Sequence, residues 1–524
     1  MATYYYNWVT GSNSTGDGSL GNPWKFPISS HGAAGDTFLL RRGQTFYTST
    51  QFGWTPRMAN GVNGLWTTVD TYGDSDTQLA GFDSYHPTGP TINISASLTE
   101  NSNLRFKNLW VKATSHTSIP LFIHANQTDI RNVEVIGCRI TGRPGGSKNA
   151  LLYISSDFPE TMLCYNILAD SCIMENSPGH GAFVVSTIGM TYRNCIARNN
   201  GLEEGAHGFS SVRQRTNITS GWSGGPSIYT QSFSYTDISS VTLISGSSTN
   251  TYPRLNKNTA SPTNPSPGEF GYTGGVLYVN LNGADPNGQT LNAAYGTLTN
   301  VRYEYCEAYD NNAFSNYPYW EGHGIALDDY TGESKVIGCH LYNNQGAGLS
   351  INRGDNNDVF GNLIYGNLLS GIQISRGKNN RVYNNTVVNN NQANTLYGYT
   401  SSAIAAVSAN SMSTGTNIQN NIVTTQLAYG ITIDSQSNSG SSADRNNITG
   451  FKTSAVNGIT ATNTTQLDPQ LSPLYVPQTG LQGIGNTLGG RDFYNKPFKA
   501  APTLGAIEVY TSNNTITTHR GVAG

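Results

Sequence analysis

Three segments, Gly322–Asn344 (GHGIALDDYTGESKVIGCHLYNN), Gly346–Asn367 (GAGLSINRGDNNDVFGNLIYGN) and Ser370–Asn390 (SGIQISRGKNNRVYNNTVVNN), lie over one another. Gly324, Gly348 and Gly371 fall in one column, at steps of 24 and 23 residues, and Cys339, Asn362 and Asn385 in another at steps of 23. Each segment carries two short runs in which apolar residues alternate with small or polar ones, separated by Gly, Asn and Asp. Alternation indicates strands and the Asn/Gly clusters indicate turns. A fixed short period of strands and turns indicates stacked coils. The expected fold is all-β, a right-handed parallel β-helix.

The second column extends in both directions through Cys138, Cys172, Cys195, Cys306, Cys339, Asn362, Asn385, Asn421 and Asn447. Two places on stand Ile140, Met174, Ala197, Ala308, Leu341, Ile364, Val387 and Val423. Strand positions i and i+2 share a face, so the column is expected to point inward, as a thiol stack continued by an Asn ladder. There is no CxxC pairing, and small buried thiols pack well, so these cysteines are expected to be structural rather than metal-binding or disulfide-bonded.

Composition fits a long one-body solenoid. Of 524 residues only 12% are charged, while Gly numbers 59 and Tyr 30. Such a chain is poor in helix formers, and too aromatic for a disordered one. A net charge of −3 lacks the basic footprint of a nucleic-acid binder. No apolar run is long enough to span a membrane, and the start, MATYYYNWVTG, has no basic-then-apolar leader pattern. The expectation is either a chain not exported by the general route or one whose leader has been removed.

Two end regions carry a family likeness. Gly11–Trp24 (GSNSTGDGSLGNPW), Gly35–Phe46 (GDTFLLRRGQTF), Gly490–Tyr494 (GRDFY), Pro497 and Leu504–Glu508 (LGAIE) resemble the caps of carbohydrate-active right-handed β-helix proteins of the pectate-lyase-like superfamily. That superfamily holds lyases, hydrolases, epimerases and binding proteins, including tailspike-like depolymerases, so the resemblance implies a fold more than a reaction. The organisation read from the chain is an N-terminal cap with first coils (1–103), coils (104–213), an inserted β excursion (214–300), further coils (301–460) and a C-terminal cap (461–524).

Spacing between the columns locates a candidate site. From Cys or Asn to the next column Gly the regular interval is 9, but Cys195 to Gly208 is 13, and both Cys306 to Gly324 and Asn385 to Ala403 are 18. The surplus residues, NNGLEEGA (199–206), NNAFSNYPYWEG (311–322) and NNNQANTLYGYTSS (389–402), must bulge from one corner of the stack. Loops leaving a rigid scaffold commonly carry function. The return from Gly208 to Cys306 takes 98 residues where 14 is regular, an insertion of about 84 residues expected beside the same loops. Its string from Gly268 to Pro286 resembles inserts of other β-helix glycan enzymes.

His180, His207 and His323 share the column just before the Gly, and Arg213, Asp329, Arg353 and Arg376 the column five places after it. Asp329 is therefore expected between guanidinium groups, with the arginines either a structural ladder or readers of an anionic or hydroxyl-rich sugar. Asp328 occurs where regular coils carry Asn352 and Ser375 and should point outward, opposite Ile325 and Leu327. Glu204 and Glu321 each lie just ahead of a column His. Carboxylates on neighbouring coils come within the reach typical of a glycosidase pair. The candidate catalytic set is thus Glu204, Glu321, Asp328, Asp329, His207 and His323. Asp329 reads as the orienting partner, and Asp328 or Glu321 as the acid. Tyr317, Tyr319 and Trp320 are candidate sugar-stacking residues, with Arg213, Arg353 and Arg376 as further substrate contacts.

The expected function is a polysaccharide-degrading enzyme, extracellular or virion-borne, with a glycosidase favoured over a lyase in which a His or Tyr abstracts the proton next to a uronate. A non-catalytic glycan-binding adhesin or phage receptor-binding protein is the alternative. The expected partner is a polysaccharide, with neither nucleic acid nor membrane insertion, and a homotrimer is a candidate assembly. No cofactor or metal is assigned, because no Asp-rich calcium cluster is evident, although a Ca2+ ion is left open.

Overall fold

The computed structural model describes residues 1–509 apart from 29–30, 49–64, 74–77, 85–89, 96–100, 114–118, 126–127, 144–149, 157–162, 204–205, 226, 233–237, 245–253, 258, 288, 296–297, 313–320, 329–330, 392–401, 408–412, 435–437 and 478–479. Its described strands form three long parallel sheets. The first has thirteen strands, from Thr3–Tyr6 to Ser442–Asp444. The second has twelve, from Thr45–Thr48 to Asn447–Thr449, and the third eleven, from Ile92–Ser95 to Ser454–Asn457. Each coil visits the three in turn: Cys164–Asp170, Ile173–Glu175 and Ala182–Val185 are followed by Thr187–Arg193 back in the first sheet. This is the right-handed parallel β-helix that the repeats imply.

The corners explain the composition. Between the first and second sheets each coil turns on one residue in the left-handed region: Ser171, Asn194, Tyr305, Gly338, Gly361, Asn384 and Asn420 have φ between 52° and 68°. Asn and Gly tolerate that region best. The next residue faces inward and is the Cys/Asn column. Strand register superposes Cys138, Cys172, Cys195, Cys306, Cys339, Asn362, Asn385 and Asn421 in one line, and all are buried.

Cys and Asn do the same work in this line. The Cys172 thiol donates to the Val135 carbonyl at 3.2 Å and Cys195 to Ala169 at 3.3 Å. Asn362 Nδ2 donates to Val336 O at 3.0 Å and to Asn385 Oδ1 at 2.9 Å. Asn362 Oδ1 also accepts the Cys339 N–H at 2.7 Å. All six cysteines are free thiols, and burial pushes Cys172 and Cys306 well above the ordinary thiol range.

One expected member is displaced by a residue. Asn421 Nδ2 bonds Asn446 Oδ1 at 2.9 Å, and Asn447 pairs in register with Ile422. Arg445, at φ 50°, is the left-handed corner here, so the inward residue after it is Asn446. Asn447 points outward instead, donating to Leu467 O and accepting the Leu467 N–H.

A second ladder at the corner between the second and third sheets escaped the sequence reading. Asn200, Asn311, Asn344, Asn367 and Asn390 link Nδ2 to Oδ1 at 2.8–3.0 Å. The preceding Asn199, Asp310, Asn343, Gly366 and Asn389 are left-handed. The Asn-Asn doublets are thus a corner residue followed by a ladder residue.

The insertion forms a separate eight-stranded sheet from Gln214–Ile218 to Thr290–Tyr295, antiparallel except where Arg254–Lys257 meets Glu269–Thr273. It has its own apolar core around Trp222, Phe270, Leu277 and Leu291. It leaves after Phe209–Val212 of the third sheet and returns before Arg302–Glu304 of the first. The surplus loops join the third sheet at its other edge, before Phe209–Val212 and Ile325–Asp328. The insertion and the surplus loops thus join the third sheet at opposite edges, and the expectation that the insertion packs beside those loops falls on loop segments largely outside the described residues. Strands of four residues make the third sheet about 13 Å wide.

The motifs near the C-terminus act as a latch. The Gly505 N–H bonds the Asn420 carbonyl at 2.8 Å, and the Ala506 N–H bonds Thr386 Oγ1 at 2.9 Å. Asp492 accepts the N–H groups of Tyr494, Lys496 and Glu508, while burial lifts its carboxyl to about 6.

Asn362→Ala removes an acceptor from the Cys339 N–H and a donor from the Val336 carbonyl, both buried. The expected cost is about 1–3 kcal/mol, read as a shift in denaturant midpoint with an unchanged slope. Asn362→Cys restores the donor and should cost less than Asn362→Ala. Equal losses for the two variants would refute the equivalence of thiol and amide.

Candidate functional site

The three column histidines stack on successive coils. His180 and His207 rings are 5.2 Å apart, and His207 and His323 are 4.9 Å apart and nearly parallel at 7°. Each ring is pinned by the backbone of the following coil. His180 Nδ1 accepts the His207 N–H at 3.1 Å, His207 Nδ1 accepts the His323 N–H at 3.3 Å, and His323 Nδ1 accepts the Ala347 N–H at 2.8 Å. A ring nitrogen that accepts an amide proton carries none of its own, so each neutral imidazole holds its proton on Nε2. Burial pushes His180 and His207 down to about 3, so both are neutral across the physiological range.

The Nε2–H of His207 meets two carboxylates. Glu321 Oε2 lies at 3.2 Å and Asp328 Oδ2 at 3.3 Å. With the imidazole neutral these are shared N–H···O contacts rather than full ion pairs. The two oxygens are therefore within about 6.5 Å of each other, since both touch one nitrogen. His207 is only 4% exposed, while Asp328 is 20% and Glu321 31% exposed, so the carboxylates face outward over a buried donor.

Chain topology makes this meeting possible. Asp328 ends Ile325–Asp328 and pairs in register with Val212 on the previous coil and, one coil on, stands at the Asn352 position. Ile325 and Leu327 are fully buried inside the solenoid, which leaves Asp328 on the outer face as alternation requires. Glu321 leaves the surplus loop two residues ahead of His323, and its carboxylate crosses back to the His of the earlier coil. Gly208 sits beneath: a Cβ there would lie 2.7 Å from the Gly324 carbonyl and 2.8 Å from Asn311 Nδ2.

Of the expected site residues, the structure thus brings together Glu321, Asp328 and His207, with His323 stacked beside them. Glu204, Asp329, Tyr317, Tyr319 and Trp320 lie outside the described residues. Arg213 binds the Leu298 carbonyl at 3.0 Å through Nη2, tying the start of the insertion to its return. Arg353 and Arg376 are left-handed corner residues at φ 62°, directly after third-sheet strands, and the Arg353 N–H bonds the Ser375 carbonyl at 2.7 Å. Among the described residues no group of three or more His, Cys, Asp or Glu is arranged to hold a metal ion.

Sequence reasoning passed over the floor around the acids. Phe183, Ser210, Ala326, Ser350 and Gln373 form one outward column of the third sheet, and Val185, Val212, Asp328, Asn352 and Ser375 the next. The strict alternation of each strand held the signal, once the Gly column fixed the register.

A family profile described as a right handed beta helix region matches residues 295–448. No curated protein matches the chain in sequence. Among solved structures, the chain is similar to the A-module of the Azotobacter vinelandii mannuronan C-5 epimerase AlgE6, at 13% identity and TM-score 0.48, covering 83% of this chain and 91% of that one. It is also similar to the pectate lyase Pel9A, at 14% identity and TM-score 0.45, covering 97% of both chains. A third is the GH136 lacto-N-biosidase from Eubacterium ramulus, at 9% identity and TM-score 0.45, covering 89% of this chain and 68% of that one. These are distant likenesses of fold alone.

The histidines also set an acid limit on stability. A folded pKa near 3 against about 6.5 unfolded means that unfolding takes up a proton below pH 6.5. The His207 contribution is therefore complete above pH 6.5 and falls as pH drops toward 3, by up to about 1.4 kcal/mol per pH unit. Calorimetry from pH 7 to 4 should show a falling melting temperature, with a shallower fall in His207→Gln. Identical slopes in the two proteins would count against a neutral His207.

Proposed function

We propose that this chain is a polysaccharide-cleaving enzyme, a glycoside hydrolase acting on a bacterial surface glycan or another complex glycan. The observation that carries the reading is the pair of outward carboxylates, Glu321 and Asp328, converging on one buried N–H donor in the floor of a broad face flanked by loops and an inserted sheet. A polysaccharide of this kind lies outside the cell membrane, which favours an extracellular or virion-borne protein.

The arrangement supports hydrolysis over β-elimination. An eliminating enzyme needs a base, and both His207 and His323 have their acceptor nitrogen occupied by a backbone N–H. The upper bound of about 6.5 Å between the carboxylate oxygens supports a retaining pair, whose carboxyls stand about 5–5.5 Å apart, over an inverting pair with room for a water between them. In this reading Asp328, fixed on a strand, is the nucleophile. It attacks the anomeric carbon and forms a glycosyl ester as the glycosidic C–O bond breaks. Glu321, more exposed and on a loop, gives its proton to the leaving oxygen and then removes one from the water that hydrolyses the ester. Two carboxylates crowded on one neutral donor repel each other, which favours one of them remaining protonated until substrate binds. His207 holds both in place and transfers no proton.

The test is reducing-end release from a panel of glycans, with absorbance read at the unsaturated-uronate band. Hydrolysis without that absorbance is expected. Glu321→Gln and Asp328→Asn should each lower turnover by about 10² or more with melting temperature nearly unchanged. An activated aryl leaving group should restore turnover to Glu321→Gln, because it departs without protonation, and leave Asp328→Asn inactive. Full activity in both amide variants would sink the assignment. Binding without turnover in the unaltered protein would favour the adhesin reading.

A further inference from the structure

The outer face of the third sheet changes character on either side of the carboxylate pair. Toward the N-terminus, register places Phe122, Tyr153 and Phe183 in one outward column on successive coils. Their ring centroids are 5.3 and 5.4 Å apart, close to the length of one pyranose unit. All three side chains are half-buried, while the alternate residues Leu121, Leu152 and Ala182 are fully inside. The row connects to the site without a break: Phe183 packs on His180 at 4.9 Å, and His180 on His207 at 5.2 Å. Toward the C-terminus the same column carries Ser350 and Gln373, beside Asn352 and Ser375.

The three strands that carry the aromatic row have no formally charged residue. Leu121–Ala125 (LFIHA), Leu152–Ser156 (LYISS) and Ala182–Val185 (AFVV) contain no Lys, Arg, Asp or Glu. A uronate or sulfate laid on these strands would lose water with no cation from them to replace it, whereas the C–H face of a neutral sugar gains by covering apolar ring edges.

We propose that Phe122, Tyr153 and Phe183 form a binding track for neutral, uncleaved sugar units of the glycan on the N-terminal side of the carboxylates, since Ser350, Gln373 and Ser375 on the other side are buried. The chain of sugars then runs along the solenoid axis with a fixed polarity. This rests on the polysaccharide reading above and adds to it the chemical class of the units on one side of the cut.

The experiment is affinity electrophoresis of Glu321→Gln, which spares the matrix, through gels containing a galactan, a rhamnan, glycol chitin or polygalacturonate. Retardation by at least one neutral polymer is expected, and adding Tyr153→Ala and Phe183→Ala should weaken it about ten-fold. Saturation-transfer NMR gives a readout that needs no change to the track: irradiating protein aromatic protons in Glu321→Gln should transfer to the C–H protons of the retarding sugar. Retardation by polygalacturonate alone, or neutral binding untouched in a folded triple variant, overturns the track and leaves the hydrolase reading standing. Absence of retardation and of hydrolysis with every polymer overturns both.

Discussion

A polypeptide that turns three times per coil must satisfy, at every corner, carbonyls and N–H groups that the flat sheets no longer reach. This chain meets the demand with one repeated device: a left-handed residue to make the turn, and an inward Asn or Cys that bonds the neighbouring coils. The Asn362–Asn385–Asn421–Asn446 line and the Asn200–Asn311–Asn344–Asn367–Asn390 line are the clearest instances. Because each amide both donates and accepts along the axis, a coil is held in register with its neighbour even where no strand is present.

That constraint governs where variation is allowed. The surplus loops begin directly after Asn200, Asn311 and Asn390, which anchor the chain before it departs, and they rejoin the stack at the column of Gly208, Gly324 and Ala403. Loops of different length can therefore be exchanged without disturbing the coils on either side. The insertion uses the other edge of the third sheet, bound at its base by Arg213 to the Leu298 carbonyl.

The carboxylate pair depends on the same stacking. Glu321 and His207 are separated by more than a hundred residues of chain, yet they meet because the insertion returns the chain to the next coil in register. His207 contributes an oriented N–H rather than a charge: the following coil occupies Nδ1, burial keeps the ring neutral, and Nε2–H faces the acids. A free imidazole would serve as base, acid or ligand, and the backbone here removes that choice.

The sequence by itself determined the periodic part of the molecule, because left-handed corners, buried strand positions and column residues are local requirements repeated every 23 or 24 residues. It placed the Gly and His columns, the surplus loops and the outward direction of Asp328. It misplaced the end of the Asn line, since Arg445-Asn446-Asn447 offers two adjacent amides and only the backbone at Arg445 decides which turns inward. It did not show which edge of the third sheet the insertion leaves from, because distance along the chain carries no such information. Tertiary structure decided what Glu321 touches, which nitrogen of His207 carries the proton, and that aromatic and polar columns run continuously through the site. Each of those is a contact between coils, fixed by stacking that no single repeat contains.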